Sequence, residues 1–271
     1  MSSYWTLPQE IMLPCIQDKY FQHEVISGDH SFGHLISGEV KANIGDQTHI
    51  LKPGDTWFVP RNQLATFFKS SKDGQPYKSV TICIRVERLK EYYSRHEPVI
   101  VADQHHGIRQ YEAHPLLESF FGSLLPYFDL EEGVPPAIVS VKIEEAITVL
   151  RTLDKTIDRW LANFSEPGKL DLADFMEKNF MFNMPLQRFA YFTGRSLTTF
   201  KTDFKKAFQV SPQRWLTQKR LELAHYHLSE KKRRPADIYL EAGFENLSHF
   251  SFAFKKHFGY SPVEATTRNA F

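Results

Sequence analysis

The chain has 271 residues, a formal net charge of +1 and 42% hydrophobic residues. This length allows two domains with sizeable cores, and the apolar content excludes a largely disordered protein. No apolar run approaches the length of a membrane span, and the opening Met-Ser-Ser-Tyr-Trp lacks the pattern of a signal peptide. We therefore expect a cytoplasmic location and no membrane partner. Cys15 and Cys83 lack metal-type spacing and are expected to be buried thiols.

Residues 1–110 are predicted to form a β domain. Short apolar runs alternate with turn signals such as Ser37-Gly38, Gly45-Asp46 and Pro53-Gly54-Asp55, which is typical of a sandwich or barrel. The predicted strands cover residues 32–44, 49–51, 56–60, 65–68 and 79–86. Their aromatic side chains either line an apolar pocket or form plain core: Trp57, Phe58, Phe67 and Phe68.

Residues 111–165 have a helical pattern and are predicted to be a dimerisation or linker region. A first helix carries Leu116, Leu117, Phe120 and Phe121 at three- and four-residue steps, and a second is predicted over 139–161. The second is amphipathic. Two interpretations of its apolar stripe stay open, a cover for the β domain and a self-association surface. The stripe consists of Val139, Ile143, Ile147, Leu150, Ile157, Trp160 and Leu161.

A domain boundary is predicted at 163–168, where Pro and Gly follow the second helix. The charge changes at the same place: residues 166–271 hold 17 Lys and Arg against 11 Asp and Glu, a net +6, while the preceding residues carry −5. Such asymmetry indicates a basic module for a polyanion joined to a module with another task.

Within the basic part, a 13-residue segment occurs twice, at 200–212 and 250–262. The phenylalanines of each copy recur at i, i+4 and i+8, which places them on one stripe of a helix. A glycine turn precedes each copy, at Gly194 and Gly243, and a short apolar run precedes each turn. Helix, turn and basic helix form the pattern of a DNA-reading helix-turn-helix. The identical pairs are Phe200/Phe250, Phe204/Phe254, Lys205/Lys255, Lys206/Lys256, Phe208/Phe258, Ser211/Ser261 and Pro212/Pro262.

The stretch 186–262 closely resembles the DNA-binding domain of the AraC/XylS family of bacterial transcription regulators. The resemblance rests on order, spacing and duplication of motifs such as Thr193-Gly194-Arg195-Ser196, Ser211-Pro212-x-x-Trp215-Leu216 and Gly243-Phe244-x-Asn246. The N-terminal half more loosely resembles the cupin-like regulatory domain of the same family, through Gly38-Glu39-Val40 and Pro53-Gly54-Asp55. The resemblance implies an α+β chain of two domains: an N-terminal cupin-like β-barrel with following helices, and a C-terminal all-α double helix-turn-helix over 166–271.

Because the phenylalanine stripe is expected to face the core, the remaining side chains of each reading helix are predicted to contact bases. Threonine and lysine groups suit base edges and thymine methyls in the major groove. An arginine common in the family is replaced by Phe252, so we expect the second unit to discriminate bases less. The predicted base contacts are Thr198, Thr199, Lys201 and Thr202 in the first unit, and Leu247, Ser248, His249, Ser251 and Phe252 in the second.

Five basic residues are predicted to contact phosphates, and two residues to cap helices. Ser196 and Asn246 precede the reading helices as N-caps. The basic run 231–234 is expected to be exposed. The predicted phosphate contacts are Arg195, Lys205, Lys206, Lys255 and Lys256.

The competing functions are a cupin-type enzyme or binding protein with a helical tail and a nonspecific nucleoid or adaptor protein. Metal-binding cupins use a His-x-His…Glu set with a later His, and His23, His30, His34 and His49 do not match that spacing. No phosphate loop or nucleophile elbow is present. We expect no catalytic residues, metal or cofactor. The expected partners are double-stranded promoter DNA, RNA polymerase, a small-molecule or protein effector and a second copy of the chain.

Overall fold

The computed structural model describes residues 9–16, 21–26, 28–44, 47–101, 107–131 and 133–267. The side chains of 21–26 and of Gln47 are outside this description, as is the predicted turn at Gly45-Asp46. The chain forms two compact units, Met1–Ser165 and Glu166–Phe271. No helix in the described ranges is long and apolar enough to cross a membrane.

The described part of the first unit contains ten strands in two antiparallel sheets. One sheet has the order β1-β9-β4-β7-β10 with β2 also paired to β9, and the other has the order β3-β8-β5-β6. The strands are β1 (Ile11–Met12), β2 (Cys15–Ile16), β3 (Phe21–Ile26), β4 (His30–Ser37), β5 (Glu39–Ile44), β6 (Gln47–Leu51), β7 (Thr56–Val59), β8 (Leu64–Ser70), β9 (Tyr77–Ile84) and β10 (Arg109–Tyr111).

The two sheets pack face to face, since one core cluster draws side chains from both. Leu35 of β4 and Trp57 of β7 belong to one sheet, whereas Val40 of β5 and Phe67 of β8 belong to the other, and all are buried. The α+β class is confirmed. The sheet-rich N-terminal unit with following helices and the all-α second unit are as predicted; the described strands pair as two sheets, and closure into a barrel is not confirmed.

The turn between β4 and β5 requires a glycine. Gly38 has φ +82°, and a Cβ there would lie 2.6 Å from the carbonyl oxygen of Ser70 and 2.7 Å from Cα of Tyr77. A side chain would meet backbone on the neighbouring strands, so the predicted Ser37-Gly38 turn is confirmed for a steric reason. The strand predicted over 56–60 ends one residue earlier, at Val59, because Pro60 has no backbone N–H to donate to the sheet.

The outer face of the larger sheet is covered by helices α1 (Val86–Tyr93), α2 (Pro115–Gly122), α3 (Pro136–Leu153) and α4 (Asp158–Leu161). A 3-10 turn, Leu125–Asp129, follows α2. Phe32 and Phe58 project from the sheet into a second core cluster, which includes Phe120 and Phe121 of α2.

The apolar stripe of α3 belongs to this second core. Ile143, Ile147 and Leu150 are each at most 1% exposed and pack in the cluster with the sheet residues. These stripe residues are therefore not free to form a self-association surface, because they are already buried within the chain, and dimerisation of the region 111–165 stays a prediction. The alternative interpretation, a cover for the β domain, is the one observed.

The single helix predicted over 139–161 is interrupted. α3 ends at Leu153, and Asp154 Oδ1 accepts hydrogen bonds from the Thr156 backbone N–H at 2.9 Å and from its hydroxyl at 2.7 Å. A short polar side chain that bonds its own backbone competes with the helical pattern, so the chain turns here.

The two cysteines differ in exposure: Cys83 is buried as expected, but Cys15 is exposed.

The described residues of the second unit form helices joined by loops, with no strands among them. α8 joins two similar groups, α6–α7 and α9–α10, as the duplication predicts. The helices are α5 (Leu172–Asn179), α6 (Leu186–Phe192), α7 (Leu197–Phe208), α8 (Pro212–Ser229), α9 (Pro235–Ile238), α10 (Leu247–Phe258) and α11 (Pro262–Thr267).

Candidate nucleic-acid interface

The first reading helix, α7, is anchored by its phenylalanine stripe. Phe200 and Phe204 are fully buried, and Trp215 of α8 lies against Phe204 and Phe208 with ring centroids 5.6 and 4.8 Å away. Offset and edge-to-face aromatic pairs of this kind add to the hydrophobic burial. One face of α7 is thus fixed in the core, and the opposite face is presented to solvent.

The second reading helix, α10, is anchored in the same way. Phe250 and Phe254 are fully buried. His225 of α8 stacks on Phe254 with centroids 6.1 Å apart and contacts Phe258 at 4.6 Å, while its Nε2 meets the Tyr260 hydroxyl at 2.7 Å. α8 therefore supplies Trp215 to one unit and His225 to the other.

Both reading helices begin at the predicted N-caps. The Ser196 hydroxyl accepts a hydrogen bond from the Thr199 N–H at 3.2 Å, and the Asn246 side-chain oxygen accepts one from the His249 N–H at 2.7 Å. Each bond satisfies one of the free donors at a helix start. Both helices end in a left-handed residue, Gln209 and Gly259, so the two copies share start and stop.

The exposed face of α7 carries all four predicted base contacts. Thr198, Thr199, Lys201 and Thr202 are exposed. Thr199 Oγ1 lies 2.9 Å from Ser196 Oγ, and Thr202 Oγ1 donates to the Thr198 carbonyl at 3.1 Å. Thr202 therefore offers its methyl group and oxygen lone pairs outward. Lys201 makes no ion pair within the described residues and lines a shallow groove with Thr202, Lys205, Lys206 and Gln209.

The exposed face of α10 is more apolar. Phe252 is 69% exposed and Leu247 is 39% exposed, while Ser248 and His249 are exposed and Ser251 is half-buried. The His249 ring meets Phe244 edge to face at 6.0 Å. Most of the Phe252 ring is therefore available for contact with a partner.

Four of the predicted phosphate contacts are placed as expected. Lys205 and Lys206 lie in the last turn of α7, and Lys255 and Lys256 lie in the last turn of α10. All four are exposed, and none forms an ion pair within the part of the chain that the structure describes. Their ammonium groups are available to a polyanion.

Arg195 is a correction. Its side chain is only 7% exposed; its Nε donates to Asp203 Oδ2 at 3.0 Å, and its Nη1 donates to the carbonyl oxygens of Thr193 at 2.7 Å and Leu170 at 3.0 Å. A guanidinium held by three internal acceptors is not free for a phosphate. The sequence prediction missed Asp203, which lies on α7, and the hydrogen bond from Arg195 lowers the pKa of the Asp203 carboxyl.

The basic run 231–234 is also partly neutralised. Arg233 forms a two-pronged bond to Glu241, at 2.7 and 2.8 Å, and Arg234 pairs with Asp237 at 2.9 Å. These acidic partners are only three and eight residues away in sequence, so a charge count of the run alone overstates its attraction for DNA.

The first unit offers no metal site within its described residues. No three His, Cys, Asp or Glu side chains there are grouped to hold an ion, and the His23 side chain lies outside the description. Trp57 and Phe67 lie in the core between the sheets, whereas Phe58 lies in the other core and Phe68 is half-buried, so the four do not line one pocket.

Comparison with known proteins finds a matching protein family for each of the two units. The N-terminal regulatory domain of ExsA matches residues 30–156, and a helix-turn-helix domain matches residues 189–268. The chain belongs to the AraC/XylS family of DNA-binding transcription regulators. The match to the helix-turn-helix domain contains both reading helices of this family member, α7 and α10.

The relatives with known roles are transcription regulators, and the matches to them cover most of their length. The HTH-type transcriptional regulator ExsA of Pseudomonas aeruginosa is 29% identical over 238 residues, covering 84% of this chain and 82% of the relative. The virulence regulon transcriptional activator VirF of Yersinia enterocolitica is 26% identical, covering 85% and 86%. Among solved structures, apo ToxT from Vibrio cholerae aligns over 97% of this chain and 98% of its own, with 10% identity and a TM-score of 0.48.

Proposed function

We propose that this regulator binds promoter DNA by placing α7 and α10 in successive major grooves on one face of the duplex. The observation that carries the proposal is the equivalence of the two helices. Each starts at a side-chain N-cap, buries two phenylalanines completely and presents a lysine pair at its end. Units seated alike on one connecting helix suit half-sites about one helical turn, ~10 bp, apart.

Base and phosphate contacts divide along each reading helix. Thr198, Thr199, Lys201 and Thr202 read the first half-site, where Lys201 suits guanine O6 and N7 and the threonine methyls suit thymine. Leu247, Ser248, His249, Ser251 and Phe252 face the second half-site, mainly through apolar contact. Lys205, Lys206, Lys255 and Lys256 contact phosphates. The first unit is therefore the stricter reader.

The N-terminal unit senses a signal, either a small molecule or another protein, and changes promoter binding in response. The match to the ExsA regulatory domain supports this role, and the net charge of −5 indicates that residues 1–165 do not themselves bind DNA. The regulator acts as an activator with RNA polymerase as a further partner, works in the cytoplasm and performs no enzymatic reaction. Self-association, if it accompanies DNA binding, uses a surface other than the buried stripe of α3.

The test is selection of DNA fragments from the source genome followed by footprinting of the full-length protein. We expect protection of two adjacent major grooves on one face of a defined site, retained in an excess of random DNA. Protection of a single groove would contradict the two-helix model, and protection that random DNA abolishes would indicate a nonspecific nucleoid protein.

Mutants separate the two kinds of contact. Lys201→Ala is expected to cost roughly 1–3 kcal/mol and to relax base preference in one half-site only. Lys255→Ala should weaken all sequences about equally. Lys178→Ala is the matched control, because Lys178 is exposed but pairs with Asp174 on α5. The reverse pattern, a uniform loss from Lys201→Ala and altered preference from Lys255→Ala, would overturn the assignment.

A further inference from the structure

The second unit, Glu166–Phe271, is called the DNA-binding unit below. The segment near its start, residues 168–170, lies directly against the turn of its first helix-turn-helix. Gly194, in that turn, has φ +63°, and a Cβ there would lie 2.5 Å from the carbonyl carbon and oxygen of Gly168. The Leu170 N–H donates to the Thr193 carbonyl at 3.4 Å. The absence of a side chain at Gly194 thus lets the entering segment, residues 168–170, touch the turn backbone to backbone.

Arg195 joins this entering segment to the first reading helix. One end of its guanidinium, Nη1, donates to Leu170 and Thr193, and the other end, Nε, donates to Asp203 on α7. Charge-assisted bonds from a planar fork fix direction as well as distance. The entering segment, the turn and α7 are therefore held by a single side chain.

Asp203 lies among the DNA-facing residues of α7. It follows Lys201 and Thr202 directly and precedes the buried Phe204, and its side chain is 29% exposed. A rotation of α7 about its axis would move Asp203 and the base-reading side chains together. The ion pair with Arg195 opposes that rotation.

The second helix-turn-helix lacks the arginine–aspartate ion pair although it is a copy of the first, and its turn glycine, Gly243, instead lies against the Met181 carbonyl and the Arg220 side chain. The two copies are offset by fifty residues, so the residues equivalent to Arg195 and Asp203 are Glu245 and Ala253. Glu245 instead accepts a hydrogen bond from Asn183 at 3.3 Å. The pair is thus present only in the unit that the entering segment contacts, which separates it from the general packing of the motif.

We propose that Arg195 is a positioning residue: it fixes α7 relative to the entering segment and thereby sets the base preference of the first half-site. The proposal rests on the proposed function, in which α7 reads bases. Through this link, displacement of residues 168–170 changes how strictly the first half-site is read while the second half-site is unaffected.

The experiment measures binding of the full-length protein to a DNA library randomised separately in each half-site. In Asp203→Asn, which keeps the side-chain size but removes the charge, the ratio of affinities between the preferred and the other bases should fall at least fivefold in the first half-site and stay unchanged in the second. Arg195→Lys, which keeps the charge but cannot reach all three acceptors, should lose preference in the same half-site. Asp203→Glu, which restores the carboxylate, should recover it.

The matched control is Glu177→Gln. It removes another ion pair of the same unit, Glu177 Oε2 to Lys219 Nζ at 2.8 Å between α5 and α8, and should leave base preference unchanged. Wild-type discrimination in both Asp203→Asn and Arg195→Lys would overturn the proposal, as would an equal loss in Glu177→Gln. If Lys201→Ala also keeps full discrimination, the failure lies with the proposed function, because α7 then does not read bases.

Discussion

Phe204 and Trp215 meet edge to face, with ring centroids 5.6 Å apart and planes at 76°. Phe204 belongs to α7 and Trp215 to α8, so this contact seats the first reading helix on the connecting helix. The contact helps to fix the angle of α7 on α8, and with it the direction of the exposed side chains that we propose contact DNA.

Replacement of Trp215 by alanine should destabilise the DNA-binding unit by about 3–5 kcal/mol, because it leaves a cavity beside Phe204 and Phe208. Denaturant unfolding followed by circular dichroism measures the loss. Tyr226→Ala is the control on the same helix, since Tyr226 is 47% exposed and should cost far less. Equal losses for the two variants would show that the aromatic contact does not anchor α7.

Replacement of Ile147 by glutamate should unfold the N-terminal unit rather than separate a dimer, because Ile147 is 1% exposed and a carboxylate there has no described partner. Thermal unfolding and light scattering on the same sample distinguish the two effects. Val141→Glu places the same charge on the exposed side of α3, where Val141 is 64% exposed, and should be tolerated. A folded Ile147→Glu monomer derived from a wild-type dimer would restore the self-association hypothesis.

Replacement of Asn246 by alanine should cost about 1 kcal/mol, because the His249 N–H loses its acceptor. Asn246→Ser keeps an acceptor and should retain most of the stability. Because the cap lies at the start of α10, the alanine variant should also weaken binding to the second half-site more than to the first. The prediction fails if both variants have wild-type stability.

The salt dependence of binding should report the phosphate contacts. Lys255→Ala should lower the slope of log K against log salt concentration by about 1. Arg195→Gln, in contrast, should leave the slope unchanged, since its guanidinium is used internally. Fluorescence anisotropy at several salt concentrations measures both; an equal change in slope for Arg195→Gln would return Arg195 to the phosphate contacts.

Stability of the N-terminal unit should fall in acid because of His30. The ring is 1% exposed, and burial, together with the nearby positive charge of Arg61, lowers its pKa from 6.5 to about 3. The unfolded chain therefore binds a proton below pH 6.5 that the folded chain does not, and stability contributed by the neutral ring is lost as the pH falls from 6.5 towards 3, by up to about 1.4 kcal/mol per pH unit. The free energy of unfolding of wild type and His30→Gln between pH 7 and pH 4 isolates this contribution, and parallel pH curves would exclude it.

The duplicated stripe was sufficient to predict the helical anchors, both caps and the exposure of the lysine pairs, because helical periodicity and capping depend on residues close in sequence. The role of Arg195 could not be predicted from its basic character, since its fate depends on Leu170, 25 residues earlier, and on an acidic residue that the motif does not require. A comparison of the two copies contains a usable signal, as Arg195 and Asp203 change together to Glu245 and Ala253.

The N-terminal unit was predicted less well for a related reason. Strand positions follow from apolar runs and turns, but whether ten strands close into a barrel or divide into two sheets depends on pairings between distant residues. The apolar stripe of α3 likewise predicts that this face of the helix is buried, but it does not indicate which surface covers it. The break between α3 and α4 has a local cause: the Asp154 side chain accepts a hydrogen bond from the backbone N–H two residues on.

The helix α8 determines how the two helix-turn-helix units are rotated and spaced relative to each other along its axis. Because Trp215 and His225 lie ten residues apart on one uninterrupted helix, each added or deleted residue between them would rotate one unit by ~100° about the axis of α8 and shift it by ~1.5 Å. A single insertion would therefore turn one reading helix away from the DNA face that the other occupies. In the proposed two-helix docking, the length of α8 therefore sets the one half-site spacing that both helices can reach together.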